Sequence, residues 1–238
     1  MNTALIFAGG TGKRMSSYAK PKQFLELHGK PIIIYTLEHF ERHEDIDNIL
    51  VVCLSSWIRE FRRMLGQHGV TKVIGVAPGG DGGDESIYNG LLALQDVCSD
   101  EDVVLIHDGV RPLICEGLIT ECIRCAAEFG TAITAARETE SVMLSHDGFS
   151  VDAMPKREEV YSAKAPQAFK YGLIWSLYQR ARAEGVRTID SSHLCSVYGQ
   201  EMRLVPSPAN NIKITAPTDY YIFRALFEAM ENRQILGV

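Results

Sequence analysis

Long hydrophobic runs are missing from this sequence of 238 residues. No apolar segment approaches the about 18 residues that a membrane-spanning helix needs, so we expect no membrane partner. No basic and apolar leader precedes the first apolar run, and we therefore expect a cytoplasmic protein.

Positive charge is also scarce. The chain has 24 Lys and Arg against 30 Asp and Glu, a net charge of −6, which disfavours non-specific binding to nucleic acid. Its six cysteines lack the spacing of a disulfide framework, which suits a reducing compartment. Cys122 and Cys125 form a C-x-x-C pair, but no second pair or nearby histidine completes a zinc site. We expect both on one helix face.

Repeats, low-complexity segments and linkers are absent as well, so residues 1–238 are predicted to form a single domain. Because 46% of the residues are apolar, the chain can bury a full core. The predicted strands are the short apolar runs at 4–8, 49–54, 73–76, 103–107 and 131–136. Helical patterns alternate with them, after Pro31 and over about 56–66, 85–94 and 116–128. This alternation predicts an α/β fold with a mostly parallel, Rossmann-like sheet.

The ligand crevice of such a sheet lies beyond the carboxyl ends of its strands. Three loops directly follow predicted strands, at residues 9–14, 79–86 and 108–111, and we expect them to meet there. The later part of the chain has helical patterns at 171–184 and 191–198, a strand pattern at 202–205 and a final helix from Pro217. Thr218 or Asp219 is available to cap that helix.

The first of these loops is rich in glycine. Gly9, Gly10 and Gly12 allow a sharp turn whose exposed N–H groups attract an anion. Four cations follow within ten residues: Lys13, Arg14, Lys20 and Lys22. A local positive pocket on an acidic chain indicates a polyphosphate ligand. The alternative is an ordinary strand-to-helix turn with solvated lysines.

Two common phosphate-binding motifs do not fit this loop. A P-loop needs Ser or Thr after Gly-Lys, but Arg14 follows Lys13. The dinucleotide-binding motif needs a third glycine where Met15 stands. An NAD(P) oxidoreductase would also show a Tyr-x-x-x-Lys pair, and Tyr161 and Lys164 have the wrong spacing.

Residues 9–23, taken together, resemble the signature of CTP-dependent cytidylyltransferases that act on polyol phosphates. That family contains the methylerythritol phosphate and ribitol phosphate enzymes, with a single domain of nucleotide-diphospho-sugar transferase type. The resemblance implies CTP and a polyol phosphate as substrates. It implies that the triphosphate is wrapped by Ala8, Gly9, Gly10 and Gly12. It also implies that Arg14 and Lys22 neutralise the β- and γ-phosphates.

Residues 107–112, His-Asp-Gly-Val-Arg-Pro, resemble a second family motif, with Gly109 in place of the usual Ala. The resemblance implies that Asp108 holds Mg²⁺ on the nucleotide and that Arg111 faces the acceptor phosphate. An Asp after a strand is otherwise often a helix cap. Lys213 lies in a third match, Asn-Ile-Lys-Ile-Thr at 211–215, and would contact the α-phosphate and the acceptor. The intact Asp108 and Lys213 argue against a non-catalytic nucleotide sensor.

Residues 79–86 resemble the family segment that reads the cytosine ring. The implied base contacts are Gly80, Asp81 and Ser86. Gly82 and Gly83 replace longer polar residues of the family, which leaves a looser pocket.

Residues 138–157 interrupt the alternation, and Asp147-Gly148 favours a hairpin turn. In the resembled family this segment is an arm that crosses to a second subunit, which implies a homodimer and places Arg157 at the neighbouring acceptor phosphate. A hairpin packed on its own domain is the alternative.

The acceptor pocket departs from the methylerythritol pattern at two positions. Ala165 and Ile189 stand where that branch has threonines, and Asp190 follows as an acceptor contact. Each lost hydroxyl leaves a hydrogen bond worth about 0.5–1.5 kcal/mol unmade. These changes favour ribitol 5-phosphate as the acceptor. The alternatives are 2-C-methyl-D-erythritol 4-phosphate, or a sugar 1-phosphate with another nucleotide.

Overall fold

A computed structural model of the chain describes residues 1–9 and 20–236, with side chains as far as residue 232. The strands of this part are β1 (Asn2–Ala8), β2 (Glu26–Leu27), β3 (Lys30–Pro31), β4 (Asn48–Cys53), β5 (Val73–Pro78), β6 (Val103–Asp108), β7 (Thr131–Arg137), β8 (Tyr161–Lys170) and β9 (Leu204–Pro206). The helices are α1 (Ile32–Arg42), α2 (Ile58–Gln67), α3 (Gly83–Ala93), α4 (Glu116–Phe129), α5 (Tyr171–Glu184), α6 (Ser191–Val197) and α7 (Pro217–Leu236). Short 3₁₀ turns cover Lys22–Phe24, Ser55–Trp57 and Arg157–Glu159.

The central sheet has the strand order β5-β4-β1-β6-β8-β7-β9. Neighbouring strands run parallel except at β8, which is antiparallel to both β6 and β7. β2 and β3 form a separate antiparallel pair. The mostly parallel α/β sheet and the single domain are therefore confirmed.

β8 was not predicted from the sequence, because a proline argues against a strand in the middle of a sheet. Pro166 is accommodated because the β6 ladder ends at Gln167 and the β7 ladder shifts register between Ile133 and Ala135. Its carbonyl oxygen accepts a hydrogen bond of 2.6 Å from the Thr134 hydroxyl.

Apolar side chains fill both faces of the sheet because its strands are buried on both sides. Along β1, Ala4 and Ile6 join one core cluster, and Leu5 joins the other. The first cluster packs against α1, α2 and α4, and the second against α3, α5 and α6. Cys122 and Cys125 are free, buried thiols of α4, as predicted.

A third apolar cluster joins α7 to α1 and to the loop after β6. Phe223 packs with Tyr35, Val110 and Ile214. The Ile214 N–H donates to the Val110 carbonyl at 2.9 Å. Residues 211–215 are thereby held beside the carboxyl end of β6, although they lie more than a hundred residues later in the sequence.

Residues 138–157 connect β7 to β8. A single antiparallel bridge joins Leu144 to Ala153, and the Asp147 carboxylate accepts the N–H groups of Phe149 and Ser150 in the intervening turn. The apolar side chains of this segment are exposed: Met143, Leu144, Phe149, Val151 and Met154. They do not pack on the core of this chain. Among the helices described, none is long and apolar enough to span a bilayer.

Candidate active site

The loop after β1 begins at an interior strand of the sheet, between β4 and β6. Ala8 ends β1, and its carbonyl oxygen accepts a hydrogen bond of 2.6 Å from the buried Gln23 amide. This bond fixes the 3₁₀ turn Lys22–Phe24 beside the loop. Three predicted phosphate-binding residues lie outside the described part of the chain: Gly10, Gly12 and Arg14.

Lys22 lies near the start of α7, where its charge acts on Asp219. Asp219 Oδ2 accepts hydrogen bonds of 2.7 Å from the Thr215 N–H, the Thr215 hydroxyl and the Ala216 N–H. Burial raises the pKa of Asp219, but these donors and the Lys22 ammonium together lower it. Asp219 therefore stays ionised and holds the end of the segment that contains Lys213, with the charge of Lys22 acting on it.

The loop after β5 touches the loop after β1. A Cβ atom on Gly9 would lie 3.2 Å from the Gly79 Cα and 3.0 Å from the Ser86 Oγ, so glycine is needed for this approach. The Ser86 hydroxyl accepts the Gly80 N–H at 3.1 Å and donates to the Gly82 carbonyl at 2.8 Å. The loops predicted to hold the triphosphate and the base are thus in contact.

Glu85 completes the folding of this second loop. Its Oε2 accepts the Asp81 N–H at 2.8 Å, and a Cβ atom on Gly80 would collide with its side chain. Gly80, Asp81 and Ser86 are therefore held in one turn at the start of α3. The structure brings these predicted base contacts together.

Asp108 lies at the carboxyl end of β6 between two cations. Its Oδ1 is 2.5 Å from the Lys213 Nζ, and its Oδ2 accepts a hydrogen bond of 2.8 Å from the Arg111 Nε. Burial would raise the pKa of Asp108, but Lys213 and Arg111 outweigh it and lower the pKa to about 2. Since two cations face one carboxylate, the group keeps a net positive charge that suits a phosphate.

Asp108 is not a helix cap, because the next helix, α4, begins only at Glu116 and its N-cap is Cys115. The alternative interpretation of this residue from the sequence is therefore wrong.

Asn211 connects the group formed by Asp108, Arg111 and Lys213 to β8. Its carbonyl oxygen accepts the Arg111 Nη1–H at 3.2 Å, and its buried side-chain amide donates to the Ala165 carbonyl at 2.8 Å. Arg111 is itself buried. Lys213, by contrast, keeps 39% of its side chain exposed.

Asp190 is the N-cap of α6. Its Oδ1 accepts the His193 N–H at 2.8 Å and the Ser192 hydroxyl at 2.7 Å. The Ser192 N–H donates to Gln167 Oε1 at 2.9 Å, and Gln167 pairs with Ile106 on β6. Asp190 is thereby linked to the strand that ends at Asp108.

Arg157 begins the 3₁₀ turn that precedes β8. It is exposed at the base of residues 138–157, and its Nη1 donates to the Thr139 carbonyl at 3.3 Å. Its role at an acceptor phosphate stays a prediction.

Four residues that shape the site were given no functional role on the basis of the sequence. They are Gln23, Asn211, Glu85 and Asp219, the last considered only as a helix cap. Gln23 and Asn211 lie inside the resembled motifs, and their polar character in buried surroundings is the feature that could have identified them.

Among the described residues, no group of three or more His, Cys, Asp or Glu side chains is arranged to hold a metal ion. Magnesium commonly takes one or two carboxylates and completes its shell with phosphates and water. The single buried Asp108 fits that donor set as a carboxylate, with its two oxygens paired to Lys213 and Arg111 in this structure.

Comparison with known proteins places this arrangement in a family. Residues 2–229 match the family model of 2-C-methyl-D-erythritol 4-phosphate cytidylyltransferase (IspD). The chain belongs to the IspD family. This confirms the resemblance seen in the sequence motifs.

Relatives and solved structures of the family match nearly the whole chain. A ribitol-5-phosphate cytidylyltransferase of Streptococcus agalactiae serotype Ia is 45% identical, covering 100% of both chains. A 2-C-methyl-D-erythritol 4-phosphate cytidylyltransferase of Clostridium botulinum is 34% identical over 96% of this chain and 98% of the other. The crystal structure of 4-diphosphocytidyl-2C-methyl-D-erythritol synthase from Anaerococcus prevotii superposes with a TM-score of 0.83 at 29% identity, covering 95% and 96% of the two chains.

Proposed function

We propose that the protein transfers CMP from CTP to the phosphate of a small polyol phosphate, with ribitol 5-phosphate as the acceptor. The products are the CDP-polyol and pyrophosphate. The supporting observation is the buried Asp108 carboxylate held between Lys213 and Arg111 beside the loops that follow β1 and β5.

The reaction is a single displacement. An oxygen of the acceptor phosphate attacks the α-phosphorus of CTP, and the bond from that phosphorus to the bridging oxygen of pyrophosphate breaks. The attacking oxygen is already anionic, so no covalent enzyme intermediate is needed. What the protein must supply is positioning and the neutralisation of two mutually repelling phosphates.

Each cation has its own part in this proposal. Lys213, exposed above Asp108, contacts the α-phosphate and the acceptor, whereas Lys22 and Arg14 take the charge of the departing pyrophosphate. The Asp108 carboxylate holds the Lys213 ammonium, and Arg111, which we propose faces the acceptor phosphate, donates to the Asn211 carbonyl of the same segment. Mg²⁺ would be held by Asp108 together with the nucleotide phosphates, and it would supply further neutralisation there.

The preference for ribitol 5-phosphate rests on two observations. The relative at 45% identity bears the name ribitol-5-phosphate cytidylyltransferase, whereas the one named for 2-C-methyl-D-erythritol 4-phosphate is 34% identical. Ile189, 83% exposed beside Asp190, supplies no hydroxyl where the methylerythritol branch has a threonine.

A homodimer joined by residues 138–157 is part of the same proposal. Phe149 is 98% exposed and Met154 is 61% exposed, and apolar side chains in that number favour a protein partner. Arg157, at the base of this segment, would then reach the acceptor phosphate of the neighbouring subunit. A cytoplasmic location is proposed as well, since the six cysteines are free thiols.

A pyrophosphate-release screen tests the proposal. Purified protein with Mg²⁺ would receive CTP, UTP or GTP and, as acceptor, ribitol 5-phosphate, 2-C-methyl-D-erythritol 4-phosphate, glycerol 3-phosphate or a sugar 1-phosphate. We expect the highest kcat/KM with CTP and ribitol 5-phosphate. A higher value for 2-C-methyl-D-erythritol 4-phosphate would establish the alternative acceptor. Release only with sugar 1-phosphates, or none at all, would overturn the proposal.

A further inference from the structure

An ion pair links the two segments that the proposed reaction assigns to different substrates. Asp84 lies in the first turn of α3 and directly follows the base loop, the name used here for residues 79–83 before it. Arg187 lies in the connection between α5 and α6. The Arg187 Nε is 2.5 Å from Asp84 Oδ2, and its Nη2 donates to Oδ1 at 3.0 Å. Two parallel contacts of this kind fix orientation as well as distance.

The guanidinium of Arg187 also occupies the space beside Gly82. A Cβ atom on Gly82 would lie 2.9 Å from Arg187 Nη2 and 2.7 Å from Asp84 Oδ1. Because Gly82 has no side chain, Arg187 reaches the start of α3 from the connection between α5 and α6. The ion pair between Arg187 and Asp84 therefore occupies the space that a side chain at position 82 would fill.

Side-chain packing does not fill the space next to this pair. An open cavity of about 410 Å³ lies there, lined among others by Tyr88, Tyr178 and Arg182. The Asp84 side chain is only 14% exposed, and its charge is favoured by the N-terminus of α3. The ion pair thus joins the start of α3 to the connection between α5 and α6 beside a space that side-chain packing leaves unfilled.

Both ends of the pair adjoin residues of the site. Asp84 directly precedes Glu85 and Ser86, whose side chains accept the N–H groups of Asp81 and Gly80. At the other end, Arg187 lies three residues before Asp190 in the sequence. Displacing Asp84 would disturb the base loop, and displacing Arg187 would disturb the segment that leads to α6.

We propose that Arg187 is a positioning residue. Through Asp84 it holds the base loop, and it couples this loop to residues 187–190, which end at the proposed acceptor contact Asp190. This inference rests on the proposed function for its naming of the two substrates. Arg187 itself touches neither substrate, and its effect on CTP binding passes entirely through Asp84.

A double-mutant cycle tests this coupling. Asp84→Asn, Arg187→Gln and the double variant would be compared with the wild type for the Kd of CTP by calorimetry and for the KM of the acceptor. We expect each single variant to weaken CTP binding by up to about fivefold, which is the range of a partly exposed ion pair. The double variant should be no weaker than either single one. The KM of the acceptor should rise in parallel, with kcat changed less than about twofold.

Arg180→Gln is the matched control. It removes an exposed pair on α5, in which the Arg180 Nε is 2.8 Å from Glu184 Oε1, without touching either loop. CTP affinity should stay at the wild-type value. Arg187→Lys keeps the charge but not the two parallel contacts, so it should recover only part of the affinity.

Hydrogen exchange on the ligand-free protein gives a readout that needs no turnover. The amides of residues 79–86 should exchange faster in Arg187→Gln than in the wild type, whereas Arg180→Gln should leave them unchanged. Equal exchange in Arg187→Gln and wild type would overturn the coupling. So would a further loss of CTP affinity when Arg187→Gln is added to Asp84→Asn. If the wild type released no pyrophosphate, the proposed function would be overturned. The hydrogen-exchange result would still decide whether the ion pair holds residues 79–86 in place.

Discussion

The Lys213 ammonium lies 2.5 Å from the Asp108 carboxylate, joining two motifs more than a hundred residues apart in the sequence. Asp108 is buried at the end of β6, whereas Lys213 is partly exposed above it. A buried carboxylate that is paired in this way fixes where the ammonium points. The lysine is therefore positioned before any phosphate arrives, which is what catalysis by charge neutralisation requires.

The pH dependence of turnover should follow the substrate rather than Asp108. The pKa of Asp108 is about 2, so this carboxylate is ionised throughout the working range. The acceptor phosphate loses its second proton near a pKa of about 6, and kcat/KM should fall below that pH. A phosphonate acceptor with a higher second pKa should move this acid limb upward. A limb that stays fixed with the phosphonate would contradict the prediction.

Removing the Asp219 carboxylate should weaken the start of α7 and the Lys213 segment together. Asp219→Ala leaves the Thr215 and Ala216 N–H groups without their acceptor. We expect the free energy of unfolding in urea to fall by about 1–3 kcal/mol and the KM of CTP to rise. Glu228→Ala, which removes an exposed pair with Arg224 on the same helix, should change stability by less than about 0.5 kcal/mol. Equal effects of the two changes would refute this role.

His39 should make the protein less stable in mild acid. Burial lowers the pKa of His39, whose Nε2–H donates to the Pro112 carbonyl at 2.9 Å. Below its ordinary pKa of about 6.5 the unfolded chain therefore binds more protons than the folded one. Stability is fully present above that pH and is lost as the pH falls, by at most about 1.4 kcal/mol per pH unit for this group.

The measurement is urea unfolding of wild type and His39→Gln between pH 7.5 and pH 5, pH values chosen to span about 6.5. The glutamine variant should show a shallower decline. A slope unchanged by His39→Gln would contradict the assignment.

Substitutions in residues 138–157 should separate the proposed dimer. Phe149→Ser combined with Met154→Ser removes two exposed apolar side chains, and light scattering should show a shift toward monomer. Tyr221→Ser, at a residue 64% exposed on α7, should leave the dimer intact. A wild-type protein that is monomeric at micromolar concentration would rule out this part of the proposal.

Subunit mixing tests whether Arg157 acts in the partner's site. Arg157→Ala and Lys213→Ala should each be nearly inactive alone. If Arg157 serves the neighbouring subunit, exchange between the two variants forms one intact site per mixed dimer, and turnover returns. No recovery after proven exchange would show that Arg157 acts within its own subunit or not at all.

Most of the sheet was predictable because strands that are buried on both faces appear in the sequence as short apolar runs. β6 and β7 extend only one residue beyond their predicted ends, and α5 has its predicted bounds, Tyr171–Glu184. Its end is marked by Gly185, whose φ of 70° suits glycine. β9, predicted at 202–205, instead covers Leu204–Pro206, because a three-residue edge strand gives little periodicity.

Features that depend on distant partners were not predictable from local pattern. β8 contains Pro166 and has no apolar run, and only its pairing with β6 and β7 makes it a strand. The pair of Arg187 with Asp84 joins loops about a hundred residues apart, so no local spacing reveals it. The contact of Gly9 with Gly79, by contrast, follows from strand topology, which brings both loops to the same edge.

The most direct measurement is steady-state pyrophosphate release from CTP and ribitol 5-phosphate by Lys213→Ala and Lys22→Ala, with Lys170→Ala as control. Lys170 pairs with Glu101 at 2.7 Å at the opposite end of the sheet, so its loss tests for a general charge effect. We expect both site variants to lose about 10²-fold or more in kcat, while circular dichroism shows that both still fold. Lys170→Ala should keep near-normal turnover. Near-normal turnover in Lys213→Ala or Lys22→Ala would contradict the account.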